Sequence, residues 1–366
     1  MSAVRSRARR RSFRSILIVL SLSLLLAASM PASAQTPARD SFRIAWSIYV
    51  GWMPWGFGAD SGIVARWAER YGINIEVVQI NDYIESINLY TAGAFDGVTA
   101  TNMDALTIPA AGGVDTTALI VGDFSDGNDG LVLKNGTGIE DVKGRRVHLV
   151  ELSVSHYLLA RALDSVGLSE RDITVVNTSD ADIVGAFGSR DVTAVVTWNP
   201  QLGEIRARSD ASVVFDSSQI PGEIMDLLLI NTQTLQANPA LGKALAGAWY
   251  EILDTMRADD EAGRAARAAM GEAGGTDLAG YEAQLASTRM FYDASEAVAF
   301  VTGPEPRETM EYVRQFAFEH GLLGEHAPSP DFVGIEFADG TILGNPDNVR
   351  FRFTAEYMQL AADGQL

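Results

Sequence analysis

From residue 42 onward, short apolar runs alternate with helical stretches, and no other feature of the chain constrains its fold as much. Residues 42–46 read as a short buried strand, 61–71 as a helix stopped by Gly72, and 73–80 as a second strand. A helix over 83–92 stops at Gly93, and 97–101 follows as a third strand. Strands joined by helices of this length run parallel, because the crossover returns the chain to the same edge in the same direction.

The alternation breaks twice. The stretch 122–130 is acidic and turn-rich and precedes a new strand at 131–133. It has the outline of a calcium loop, but Lys134 stands where such a loop needs a bidentate Glu, so it reads as a crossover. Strands at 146–150, 173–176 and 193–197 then alternate with helices at 155–166 and 182–187, until 216–222 interrupts the pattern before the strand 227–230. The two interruptions divide the chain into one lobe of 35–123 and 223–366 and a second of 124–222. The C-terminal part is helix-rich, with helices expected at 240–257, 277–287, 294–301 and 307–319, and a looser one within 258–275.

Ahead of these lobes lies an export signal. Six arginines fall in the first 14 residues, an apolar run covers 16–30, and Ala32-Ser33-Ala34 supplies the small-x-small pattern of a cleavage site, predicting 1–34 as a signal peptide and Gln35 as the mature N-terminus. Arg10-Arg11 also fits a twin-arginine signal. No later stretch is apolar for the twenty or so residues a membrane span requires.

Composition removes several function classes. The 366 residues carry 28 Lys+Arg against 47 Asp+Glu, a net charge of −19, and most of the acid lies beyond the basic leader; a nucleic-acid partner is not expected, because phosphate binding needs a basic face. With no cysteine there is no disulfide, thiol catalysis, iron–sulfur cluster or lipid-modified N-terminal Cys. The four histidines show no ligand spacing such as H-x-x-x-H, so neither a metal nor a cofactor is expected.

In open parallel sheets ligands bind beyond the carboxyl ends of the strands. After the first strand, Tyr49 and Trp52 lie in a segment that, with Trp46 and Trp55, holds half of the six tryptophans. Such rings either stack a planar or cationic ligand or pad the junction of loop and helix. After the third strand come Asn102 and Asp104, and after 146–150 come Glu151, Ser153 and His156; each set offers pocket groups or helix caps. Trp198 ends a strand of the second lobe, and Asp226 sits where the chain re-enters the first. Lys and Arg are absent from 44–65, 71–133, 147–160 and 172–189, which disfavours an anionic ligand and suits a small cation or a planar amide donor.

The export signal, the interleaved lobes, Trp46-Ser47-Ile48-Tyr49-Val50-Gly51-Trp52-Met53-Pro54, Thr101-Asn102-Met103-Asp104 and Thr197-Trp198-Asn199-Pro200 together resemble the periplasmic substrate-binding proteins of ABC importers. The resemblance covers 42–360 and is nearest to the nitrate/sulfonate/taurine class, within it the subgroup associated with urea-carboxylase and guanidine utilisation. It implies an α/β, two-lobed type II periplasmic binding protein, each lobe a mostly parallel sheet flanked by helices, with the ligand cleft between the lobes. It further implies a monomeric, non-enzymatic protein of the periplasm that presents a small planar nitrogen compound to an ABC permease and, through it, to an ATPase. Guanidinium is favoured, with urea or a short amide as alternatives. An enzyme on the same fold, of the kind that makes a pyrimidine precursor, is the competing class.

Overall fold

A computed structural model describes residues 39–366; the export signal expected at 1–34 lies outside the described residues. The strands are β1 (Ser41–Trp46), β2 (Asn74–Gln79), β3 (Gly97–Thr101), β4 (Thr116–Ser125), β5 (Asp129–Lys134), β6 (Arg146–Leu149), β7 (Thr174–Asn177), β8 (Ala194–Trp198), β9 (Ala211–Asp216), β10 (Met225–Asn231), β11 (Thr288–Met290), β12 (Gly334–Glu336), β13 (Ile342–Leu343) and β14 (Val349–Phe353). They form two sheets. The larger has the order β13-β12-β14-β4-β10-β3-β1-β2, with β11 added to β4; the smaller has the order β7-β6-β8-β5-β9. This is the two-lobed α/β architecture expected.

The sheets are mixed rather than mostly parallel. β1 pairs in parallel with β2 and β3, as the βαβ pattern requires, but β10 is antiparallel to both β3 and β4, and β5 is antiparallel to both β8 and β9. The cause is the route of the chain: β4 leads into β5 and β9 into β10, so the strands that pass between sheets enter against their neighbours. β10 lies inside the larger sheet, which is why Leu227, Leu228, Leu229 and Ile230 form an unbroken apolar run, buried on both faces.

The stretch 122–130 is not a loop. β4 continues to Ser125 and β5 begins at Asp129, leaving only three residues to turn, with Gly127 at φ 111°. The acids that suggested a turn, Asp123 and Asp129, occupy strand positions because each is hydrogen-bonded there. A second difference is the aromatic segment after β1, where Met53–Asp60 is helical with Pro54 in its first turn, a position that tolerates the missing N–H. The short strands β11 to β14 escaped the sequence reading because two to five residues carry no measurable period.

The core of the larger sheet is closed by the helix Pro239–Arg257, which buries Leu241, Leu245, Trp249, Leu253 and Met256. Trp249 stacks on Trp55 at 5.0 Å between ring centroids and lies against Gly122, where a Cβ would stand 2.8 Å from the indole. Burying a side chain of this size contributes roughly 1.5–3 kcal/mol or more. Trp46 packs in the same way against Gly56. All three clustered tryptophans are buried in the core; Trp46 and Trp55 pack as described, and Trp52 lies against Tyr49 and Tyr83. No helix among the described residues is long and apolar enough to cross a membrane.

Candidate functional site

Where the two sheets meet, Tyr49, Trp52, Tyr83, Thr101, Asp129, Val154, Trp198, Ile224 and Asp226 enclose a narrow chamber of about 10 Å³, tightly shut in this conformation. Its walls come from both sheets. Tyr49 and Trp52 follow β1, Tyr83 begins the helix after β2, Thr101 ends β3 and Asp226 lies near the start of β10; Asp129 opens β5, Trp198 ends β8 and Val154 starts the helix Val154–Ser165. Each lining residue is at most 5 % exposed, so the chamber is shut from bulk water.

Four rings form one continuous wall. Tyr49 meets Trp52 edge-on at 5.0 Å, Trp52 meets Tyr83 at 5.6 Å, and Tyr83 meets Trp198 edge-on at 5.6 Å, so the last contact spans the two sheets. The Trp52 indole N–H is buried without a partner.

Two carboxylates, Asp129 and Asp226, share the lining with the rings, and a third, Asp123, adjoins Asp226. Asp123 and Asp226 are register partners on β4 and β10, and Asp129 follows at the start of β5. The Tyr49 hydroxyl donates to Asp123 Oδ1 at 3.1 Å, and the Ser125 hydroxyl donates to Asp129 Oδ2 at 2.6 Å. One oxygen of Asp123 and one of Asp226 have no hydrogen-bond donor. No Lys, Arg or His lines the chamber. Burial therefore raises these carboxyls: Asp129 is pushed up to about 7, the charge of Asp104 adding to the effect against the Ser125 hydrogen bond. Asp226 is raised well above the usual carboxylate range by burial and then by the charges of Asp123 and Asp129, and Asp123 is raised mainly by burial.

Asp104 stands behind the wall rather than in it. Its Oδ2 accepts from the Tyr83 hydroxyl at 2.7 Å, from the Thr101 hydroxyl at 2.9 Å and, from the other sheet's side, from the Val154 amide at 3.4 Å. Burial raises its pKa to about 6 against these three hydrogen bonds. It orients Tyr83 and ties the two walls together.

Of the nine residues singled out in the sequence, Tyr49, Trp52, Trp198 and Asp226 line the chamber and Asp104 supports it. Four stand elsewhere. Asn102 spends its amide on the segment before β10, donating to Glu223 O at 3.2 Å and accepting from the Met225 amide at 3.0 Å. Ser153 is the N-cap of the helix Val154–Ser165, its hydroxyl accepting from the Ser155 amide at 3.2 Å. Glu151 is exposed in a separate surface hollow, because the chain turns outward after β6. His156 faces Glu170 and His320. Sequence reasoning passed over Asp123, Asp129 and Tyr83. The available signal was an acid interrupting an apolar strand, as in Leu119-Ile120-Val121-Gly122-Asp123, which water-facing loops do not produce.

A closed chamber between two sheets defines a protein that wraps a small solute. Residues 67–262 match the NMT1/THI5-like family, and the chain belongs to that family. It is 24 % identical over 257 residues to a binding protein of Brucella abortus, covering 69 % of this chain and 76 % of that one. It is 25 % identical over 119 residues to the taurine-binding periplasmic protein of Escherichia coli, covering 32 % of this chain and 37 % of that one. Among solved structures, the alkanesulfonate-binding protein SsuA of Xanthomonas axonopodis pv. citri, bound to MOPS, superposes with a TM-score of 0.62 at 17 % identity, covering 80 % of this chain and 96 % of that one.

Proposed function

We propose that this chain is the extracytoplasmic solute-binding component of an ABC importer and that its chamber takes a small planar nitrogen cation, guanidinium above all. The observation that carries the reading is the pair of buried carboxylates Asp129 and Asp226, backed by Asp123, in a chamber lined by aromatic rings and by no basic residue. An uncompensated buried carboxylate is costly, and a cation offsets that cost directly. Guanidinium presents N–H edges to Asp129 and Asp226 and its face to Trp52 or Trp198. Taurine and alkanesulfonates, the ligands named for the relatives, carry a sulfonate that these acids repel. Urea or a short amide is likewise planar but leaves the carboxylates without a counter-charge.

The two sheets act as lobes, 35–123 with 223–366 and 124–222, that close on the ligand. The contacts Tyr83 to Trp198 and Asp104 to the Val154 amide support this, since both exist only when the sheets are together. A ligand that touches both sides favours the closed form and shifts the population toward it. The monomeric, periplasmic protein, freed of residues 1–34, then offers the closed form to its permease. A pyrimidine-precursor synthase finds no support in the lining, which contains none of the four histidines.

Calorimetry with guanidinium, urea, taurine and nitrate tests the reading. Guanidinium binds at a single site and urea more weakly. Binding of taurine or nitrate without guanidinium overturns the cationic chamber while leaving the solute-binding role intact.

A further inference from the structure

Away from the chamber, three side chains from distant parts of the chain converge. His156 lies in the first turn of the helix Val154–Ser165, Glu170 opens the short turn Glu170–Asp172, and His320 follows the helix Glu305–Glu319. Glu170 Oε1 is 3.1 Å from His156 Nε2 and 2.6 Å from His320 Nε2, and the three atoms all lie within 4.8 Å of one another.

We propose that His156, Glu170 and His320 bind a divalent transition-metal ion of the zinc type. Two imidazoles and a carboxylate are a known donor set for such an ion, with a water in the fourth position. Ligand atoms about 2.0–2.2 Å from a tetrahedral ion stand roughly 3.3 Å apart, near the 3.1 Å pair, whereas the 2.6 Å pair must part by roughly 0.7 Å. His156 is 3 % exposed, and its Nε2 has no hydrogen-bond partner: the line to Glu170 is short but off the direction in which the ring nitrogen points. An ion displaced to one side of that line, along the direction of the ring nitrogen, meets the Nε2 lone pair and still reaches Glu170.

The surroundings suit ligation. His320 Nδ1 is 2.9 Å from Phe316 O and donates to it, while Nε2 is hydrogen-bonded to Glu170 Oε1 at 2.6 Å, where an ion would take the place of the shared proton. The Phe316 ring stacks on His320 at 4.0 Å and fixes its plane. Glu170 and His320 are partly exposed, which gives the ion access and room for the water. Two contacts must change. The proton between His320 Nε2 and Glu170 Oε1 leaves as the ion enters. The Leu152 amide donates to His156 Nδ1 at 3.1 Å, whereas ligation through Nε2 requires a proton on Nδ1. Leu152 is an exposed turn residue held at φ 64°, a region that a leucine rarely adopts, and moving it costs little packing.

The test uses tag-free mature protein stripped with chelator, titrated with Zn²⁺ by calorimetry and with Co²⁺ by visible absorption. A single site with a four-coordinate Co²⁺ spectrum is expected. His320→Gln and Glu170→Gln each weaken it at least tenfold, whereas Asp226→Asn retains it. Glu170 is partly exposed, so its substitution keeps the folded protein available if His320→Gln does not. Zn²⁺ affinity unchanged by Glu170→Gln, loss of the ion in Asp226→Asn, or no saturable binding shows that the cluster is only a hydrogen-bonded contact and overturns the site.

Discussion

The Asp129 carboxyl makes the charge of the ligand measurable. In the empty chamber its pKa lies at about 7, and a cation held against it drives it down, so binding expels the proton that the empty protein carries at lower pH. The sign follows: affinity for a cation rises with pH. A group of pKa 7 is about one per cent ionised at pH 5 and about nine-tenths ionised at pH 8, so Kd falls about 90-fold across that interval from Asp129 alone. Asp226, raised further, steepens the dependence. Calorimetry of guanidinium at half-unit steps from pH 5 to 8, in two buffers of different ionisation enthalpy, yields both Kd and the number of protons released. Release of at least half a proton near pH 6 is expected, and Asp129→Asn flattens the profile. A Kd constant within about twofold from pH 5 to 8, or proton uptake on binding, refutes the reasoning, because no cation can sit beside a titrating carboxylate without displacing its proton.

Further expectations concern individual parts. Between the usual carboxylate range and about 7, folded protein holds a proton on Asp129 that unfolded chain does not, so the Tm of ligand-free protein falls as pH rises through that window and guanidinium restores it; thermal melts from pH 4.5 to 8 check this. Trp198→Ala removes one ring of the wall and weakens cation binding by about 2- to 30-fold, the range of a cation–π contact, read by calorimetry. Asp104→Asn leaves the chamber lining in place but loses the charged acceptor shared by Tyr83, Thr101 and Val154, so the closed fraction in small-angle scattering with ligand falls. Gly122→Ala drives a methyl into Trp249 and costs about 1–3 kcal/mol in urea unfolding.

The architecture was legible because its carriers are periodic: the runs that became β1, β2, β3, β6, β7, β8 and β10 are apolar, and the helices between them end at glycines such as Gly72 and Gly93. Half of the chamber was legible for the same reason, since Tyr49, Trp52, Trp198 and Asp226 adjoin strand ends. The other half was hidden by chemistry that mimics turns. Asp, Asn and Gly between 122 and 130 ordinarily mark solvated loops, and only the strand pairing around them, with Tyr49 donating to Asp123 and Ser125 to Asp129, keeps those acids inside. Tyr83 was hidden by its place at a helix start, where nothing local tells that its hydroxyl reaches Asp104. Glu151 failed in the opposite way, a polar residue at a strand end that the next turn carries outward.

The three acids occupy the junctions themselves: Asp123 near the end of β4, Asp129 at the start of β5 and Asp226 near the start of β10, the segments through which the chain passes from one sheet to the other. If the chamber takes a cation as proposed, mutual repulsion among whichever of them are ionised opposes closure and the cation relieves it. A molecule that shuts while empty must capture protons on these acids, which their raised pKa values allow near neutral pH, or strain against its own charge. Raising the pH strips those protons and leaves vacant protein less often in the shape of the loaded one, the shape a permease must recognise.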